Sequence, residues 1–305
     1  MTDFKYKFSG HQTFVFRYGW LEKGVQLIQK NPHGFNDDDC LITLGVGKNM
    51  VESIKYWCMQ TDLLRPDVGG NMSLTDLGKL IFGEKDFSQG VDPYLEDDAT
   101  LWLLHWSLMW QTQKEEPTWS TWQYAFYKWH KPEFIKSDLL QSLSNWCKLQ
   151  KQKVTDASLE RDIDCFARNY AGTRSKAKDG EESFDSPFLA LELLQNTSQP
   201  ELYRFNIGAK KNLPAEIVGY VLLKFLKGRK NINVQGCLYD EASPGQIFKL
   251  NENAFMEYLP QLEKITDKKL QQSETAGLVS IAYTGKTDSD EYAKELLNQY
   301  YGRAN

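Results

Sequence analysis

Residues 44–82, LGVGKNMVESIKYWCMQTDLLRPDVGGNMSLTDLGKLIF, decide the fold reading of this 305-residue chain. At about 100° per residue, the run from Lys48 to Gln60 gathers Met50, Val51, Ile54, Trp57 and Cys58 on one arc of a helix. Lys48, Asn49, Glu52, Ser53, Lys55, Tyr56 and Gln60 fall on the other arc, a row of side chains of the types that reach base edges and phosphates. A short apolar run, Leu63-Leu64, continues through Arg65 and Pro66 to a Gly69-Gly70 turn and a return run Met72-Ser73-Leu74, which predicts a two-stranded hairpin. Thr75 is placed to cap a closing helix over Asp76 to Phe82. Helix, hairpin and capped helix in this order predict a winged helix-turn-helix.

Upstream of this stretch, alternating aromatics at Phe14, Phe16 and Tyr18 predict a short strand, followed by a helix from Gly19 to about Gln29. The segment from Phe35 to Thr43 holds a turn and the first helix of the recognition unit. His11 is open to two readings, a catalytic group or a histidine that caps a turn after Gly10.

Downstream, Ala99 to Trp110 is apolar nearly all round, so that helix should be buried on several sides, with His105 hydrogen-bonded in the core. All nine tryptophans lie at or before Trp146, and this shift predicts a domain boundary near residue 150. An N-terminal winged-helix and aromatic-rich helical domain (1–150) is therefore expected before a C-terminal helical, winged-helix-like domain (151–305). In the latter, Thr155 caps a helix through Tyr170 whose buried stripe is Leu159, Ile163, Phe166 and Tyr170. Glu160 and Asp164 stand at ion-pairing distance in sequence from Arg161 and Arg168, and Asp162 borders the stripe as a possible arginine partner. Arg174, Lys176 and Lys178 lie in a polar loop, either along a phosphate backbone or simply solvated. A helix over Leu213 to Lys227, a short helix begun by Ser243-Pro244-Gly245, a helix capped by Asn251, and a hairpin around Gly277 form a second winged-helix-like unit. A terminal helix runs from Asp288 to Tyr300. The fold class expected is mainly α with short β-hairpins, tandem winged-helix-like units flanking an aromatic-rich helical middle.

Hydrophobic residues make up 41% of the chain and charged ones 25%, an ordinary globular balance. No apolar run approaches the ~18 residues of a membrane span, and Met1-Thr2-Asp3-Phe4-Lys5 lacks a signal-peptide pattern. Five scattered cysteines without a CxxC spacing support neither a disulfide framework nor a zinc site. The expected location is cytoplasmic, without a membrane partner. A net charge of −5 argues against coating DNA over the whole surface, so any DNA contact must be a local basic patch.

Catalytic motifs are absent. Gly45-Val46-Gly47-Lys48-Asn49 fails as a phosphate loop, because Ile42 and Asn49 stand where Gly and Ser or Thr are needed. There is no GxSxG or HExxH, and the four histidines are dispersed. A metal-dependent nuclease needs clustered carboxylates. The densest groups, Glu96-Asp97-Asp98 and Glu160/Asp162/Asp164, read more simply as helix-end and helix-face charges.

Several stretches, taken in order, resemble one family. They are Phe8-Ser9-Gly10-His11-Gln12-Thr13-Phe14 with Arg17-Tyr18-Gly19-Trp20-Leu21, Leu44 to Val51 with Ser53 to Trp57, and Asp92 to Asp97 with Leu101 to Trp106. Arg161-Asp162-Ile163-Asp164-Cys165-Phe166 and Ser243 to Leu250 complete the set. The family is DUF4007, found in bacterial and archaeal defence islands. One departure stands at Gln12, where the family usually has Glu. The resemblance implies a genetic setting beside an ATPase and a phosphosulfate-reductase-type sulfurtransferase. It further implies the DNA-nicking B component of single-stranded DNA phosphorothioation (Ssp) systems, acting in anti-phage defence.

Three functions are weighed. The first is a nicking endonuclease that serves backbone sulfur modification, with Mg or Mn as its divalent metal. It would bind double-stranded DNA through Lys48, Asn49, Ser53 and Tyr56 on bases, Lys55 and Arg65 on phosphates, and Arg17 nearby. The second is a non-catalytic adaptor that recruits the modification enzymes. The third is a protein-interaction module. No catalytic or metal-ligating residue is assigned from sequence.

Overall fold

The computed structural model describes residues 4–172, 186–275 and 277–304. The fold is mainly helical, with short strands in four small sheets among the described residues. Arg174, Lys176 and Lys178 lie outside the described residues.

The chain opens with β1 (Lys5–Tyr6) and an irregular segment, followed by α1 (Trp20–Lys30), α2 (Cys40–Leu44) and α3 (Lys48–Gln60). Then come β2 (Leu64–Pro66), β3 (Met72–Leu74) and α4 (Asp76–Phe82), as the spacing predicts. Asp67 Oδ1 accepts the amides of Gly69 (2.8 Å) and Asn71 (2.9 Å), and Gly70 takes φ 81°, which closes the hairpin tip. Thr75 Oγ1 accepts Gly78 N–H at 3.0 Å and starts α4. A further backbone bond joins Met72 N–H to Pro32 C=O at 2.9 Å, tying the hairpin to the segment after α1.

The alternating aromatics of 14–18 do not make a strand. Phe16 N–H donates to the Asn169 side chain at 3.0 Å rather than to a neighbouring strand, so the segment is extended but has no ladder.

α5 (Asp98–Met109) is capped by Asp97 and buried at every residue from Ala99 to Met109. Each Leu or Trp enclosed there contributes on the order of 1.5–3 kcal/mol. β4 (Thr118–Trp119) pairs parallel with β1, and the short α6 (Thr121–Gln123) runs into a π-helical turn, Tyr124–Lys128. β5 (Glu133–Ile135), α7 (Lys136–Leu149), α8 (Asp156–Ala171), β6 (Leu194–Asn196) and β7 (Leu202–Phe205) follow. Around α8 stack Trp122, Phe126, Phe134 and Phe188, the last parallel to Tyr170 at 5.4 Å. His105 sits in this cluster, its Nδ1 2.8 Å from the Tyr170 hydroxyl.

The last part comprises α9 (Ala215–Phe225), β8 (Asn231–Asn233), α10 (Val234–Tyr239), α11 (Pro244–Phe248) and α12 (Glu252–Ile265). β9 (Leu270–Thr275), β10 (Leu278–Tyr283) and α13 (Ser289–Ala304) complete it. Ser243 and Asn251 cap α11 and α12, as their positions predict.

One arrangement recurs. A helix, a strand, two or three helices and a hairpin follow each other in β5 to β7 and in β8 to β10, with strand order first–third–second in both sheets. The α1-to-β3 segment has the same order, with the single Pro32–Met72 bond in place of the first strand. Two compact units result, Met1–Arg204 and Phe205–Asn305. Residue 150, where the tryptophans predict a boundary, falls between α7 and α8, two helices packed on each other inside the first unit.

Candidate nucleic-acid interface

α3 spans the predicted residues, and its N-terminal turn is open. Lys48, Asn49 and Glu52 are exposed, and Lys55 is half-buried with its ammonium 5.9 Å from the Phe35 ring. Arg65 is exposed on the hairpin, opposite Ser73 in register.

Ser53 and Tyr56 do not belong to that open face. Both are buried, and over Tyr56 lies the N-terminal segment. A Cβ on Gly10 would come within 2.5 Å of the Tyr56 ring, so only glycine lets the segment approach so closely. Lys7 Nζ sits 5.3 Å from the centre of the same ring. The helical wheel predicts an outward Tyr56 because it reports one helix and is blind to a chain arriving from more than forty residues away.

The covering segment also supplies a basic group that sequence reasoning missed. Burial, and after it the nearby Lys55 charge, hold the Lys7 ammonium below its ordinary value. The cations on or beside this helix are thus exposed Lys48 and half-buried Lys55 and Lys7, with Glu52 exposed among them, and exposed Arg65 follows on β2. Nothing local in the sequence around Lys7 marks it.

Arg17 lies apart from this patch, stacked 5.4 Å from Phe14 and 5.1 Å from Trp20. Burial and the Arg168 charge lower its pKa. Arg168 in turn donates to Thr13 C=O at 2.7 Å.

His11 and Asp162 meet in the interior, both essentially without solvent exposure. Thr13 N–H donates to His11 Nδ1 at 3.1 Å, which leaves Nε2 to carry the proton and donate to Asp162 Oδ1 at 2.9 Å. Asp162 also accepts Ser9 N–H at 2.7 Å and the Thr121 hydroxyl at 3.1 Å. The arginine partner expected for Asp162 is thus replaced by a histidine, and Asp164 pairs with Lys136. A sealed, saturated pair of this kind holds a turn and has no access to substrate. The turn that it holds is strained, with Ser9, Gln12 and Thr13 at φ 60°, 50° and 67°. Gln12 and Thr13 are displayed on the surface.

Asp92, Asp97, Asp162 and Asp164 have structural partners. Asp92 accepts the amides of Glu96 (2.9 Å) and Asp97 (3.1 Å), while Asp97 caps α5. Among the described residues no three His, Cys, Asp or Glu side chains gather to hold a metal ion. All five cysteines are buried thiols.

No curated protein matches this chain. Two solved structures resemble it closely, SspB and magnesium ion-bound SspB. Each has 28% sequence identity and a TM-score of 0.86, over 98% of this chain and 89% of the other. Residues 8–301 match the family described as "Protein of unknown function (DUF4007)", and the chain belongs to that family.

Proposed function

We propose that this protein serves an Ssp-type phosphorothioation system as its DNA-binding component, and that it docks α3 and the β2–β3 hairpin on double-stranded DNA as a winged helix. The likeness to SspB over nearly the whole chain supports the setting. The observation that carries the docking mode is the open N-terminal turn of α3, with Lys48 and Asn49 exposed, while Lys55 and Lys7 lie further along the helix and Arg65 is exposed on the hairpin. Lys48 and Asn49 meet base edges, and the flanking cations meet phosphates. The recurring helix–strand–helix–helix–hairpin order supports reading three winged-helix-like units. An ATPase and a sulfurtransferase are the partners in this reading.

Nicking is the activity that goes with it, and the magnesium-bound relative favours Mg or Mn as cofactor. Supercoiled plasmid incubated with the purified protein and Mg²⁺ or Mn²⁺ should give open circles, and chelator should abolish them. Tight binding without open circles would instead make the protein an adaptor for the modification enzymes. Duplex affinity should fall steeply as salt rises, because phosphate neutralisation releases counterions. A flat response would overturn DNA as the partner.

A further inference from the structure

The second compact unit carries a cleft that the α3 interface does not use. It has a volume of about 600 Å³ and opens between β8, α10 and β10. Its lip is a basic turn in which Gly228, at φ 72°, reverses the chain between Lys227 and Arg229. Lys227 is 3.3 Å from Asp290, whereas Lys230 extends into solvent. The Arg229 guanidinium is held 5.0 Å from the Phe225 ring, and its Nη1 is 3.8 Å from Asp240, beyond hydrogen-bond reach.

The walls have a different chemistry. Asn231 lies on the outward side of β8, an edge strand, with Ile232 turned inward. Gln235 and Ser280 line the same space. Tyr239, the last residue of α10, is 61% exposed, so its ring offers a free face beside those amides.

We propose that this cleft binds a segment of single-stranded nucleic acid, with a base stacked on Tyr239, its edge met by the Asn231 and Gln235 amides, and the adjoining phosphates on Arg229 and Lys230. Asn231 offers a donor and an acceptor at one planar end, the pattern a base edge requires, and Gln235, whose Nε2 donates to Glu252 at 3.5 Å, adds its carbonyl oxygen as an acceptor. An exposed aromatic ring beside cations is the combination by which splayed strands are held. Asp240, on the same wall, repels phosphate and so keeps the backbone at the lip, while its oxygens can accept from a base amino group.

Duplex docking on this unit is disfavoured. α12 occupies the place in the chain order that α3 holds in the first unit, yet it exposes Glu252 and Glu257, with Lys264 as its exposed cation. Acids there would face phosphates. The proposal goes beyond the α3 interface and does not rest on it.

The test uses the full chain and fluorescence anisotropy with a labelled single strand of about 12 nucleotides, a length within the usual site size. The same sequence as a duplex serves in parallel. Tyr239→Ala should weaken single-strand binding by about tenfold, with Tyr239→Phe retaining it, because stacking needs the ring and not the hydroxyl. Lys230→Ala should weaken it less and flatten its salt dependence. Duplex affinity should stay unchanged in all three. A Lys48→Ala/Asn49→Ala chain should show the reverse, losing duplex and keeping the single strand, so failure of either interface is separately visible. The proposal is overturned if the unmodified protein does not bind the single strand at micromolar concentration, or if Tyr239→Ala binds it as well as the unmodified protein does.

Discussion

His11 Nε2 lies 2.9 Å from Asp162 Oδ1 in a part of the interior closed to solvent. The two residues come from stretches 151 positions apart, and the bond fixes the N-terminal segment on α8. Asn169, seven residues along the same helix, accepts Phe16 N–H at 3.0 Å. α8 thereby holds the segment that covers Tyr56 and brings Lys7 to the flank of α3.

Asp162→Ala should destabilise the protein by about 3–5 kcal/mol, because three donors, two of them fully buried, lose their acceptor at once. Urea unfolding followed by tryptophan fluorescence reads the loss as a lower midpoint. An unchanged midpoint would mean that water reaches the site.

Tyr56→Phe should be neutral or stabilising, by up to about 2 kcal/mol. The Tyr56 hydroxyl is buried and has no hydrogen-bond partner among the described residues, so its removal deletes an uncompensated polar group. Duplex affinity should not change, since the ring never faces solvent. A large loss of duplex affinity with the fold intact would put Tyr56 back in the interface.

Gly78→Ala should cost about 1–3 kcal/mol. A Cβ there would stand 2.3 Å from the Leu63 carbonyl oxygen, backbone that cannot swing aside. Thermal unfolding should show the loss, while the exposed Gly47, with nothing near its Cβ direction, should accept alanine far more cheaply.

Stability should rise as pH increases from about 7 to about 8.5. Burial lowers the Lys249 ammonium from 10.5 to about 7, so above that pH the folded chain holds fewer protons than the unfolded one. Below pH 7 both states carry the charge and the cost of burying it is fully present. The gain is at most about 1.36 kcal/mol per pH unit. Lys210, lowered to about 8 by burial, adds in the same direction. Above about 9 the thiols of Cys58, Cys165, Cys147 and Cys237, all pushed up by burial, together outweigh the two lysines and reverse the trend. Lys249→Met should be more stable at pH 7 and lose its share of the slope. Equal slopes in the two proteins would exclude Lys249 as the source.

The elements that were legible are those written by local chemistry. Caps at Thr75, Thr155, Ser243 and Asn251, the Gly69-Gly70 turn and the nearly all-apolar run from Leu101 to Met109 each dictate their structure over a few residues. The strand expected at 14–18 failed because alternation marks a half-buried extended chain and does not supply a ladder partner. The recurrence of one strand order in β5–β7–β6 and β8–β10–β9 left no repeat in the sequence, since it is a relation between backbones that unlike side chains satisfy equally well.

The interface divides in the same way. Sequence alone determined that a helix would run from Lys48 to Gln60, with a hairpin behind it and Lys48 and Asn49 at its head, because helix period, turn residues and capping act at short range. Tertiary structure alone decided which part of that helix meets solvent. The His11–Asp162 pair anchors a distant segment across Tyr56, and it substitutes Lys7 for the side chains it hides.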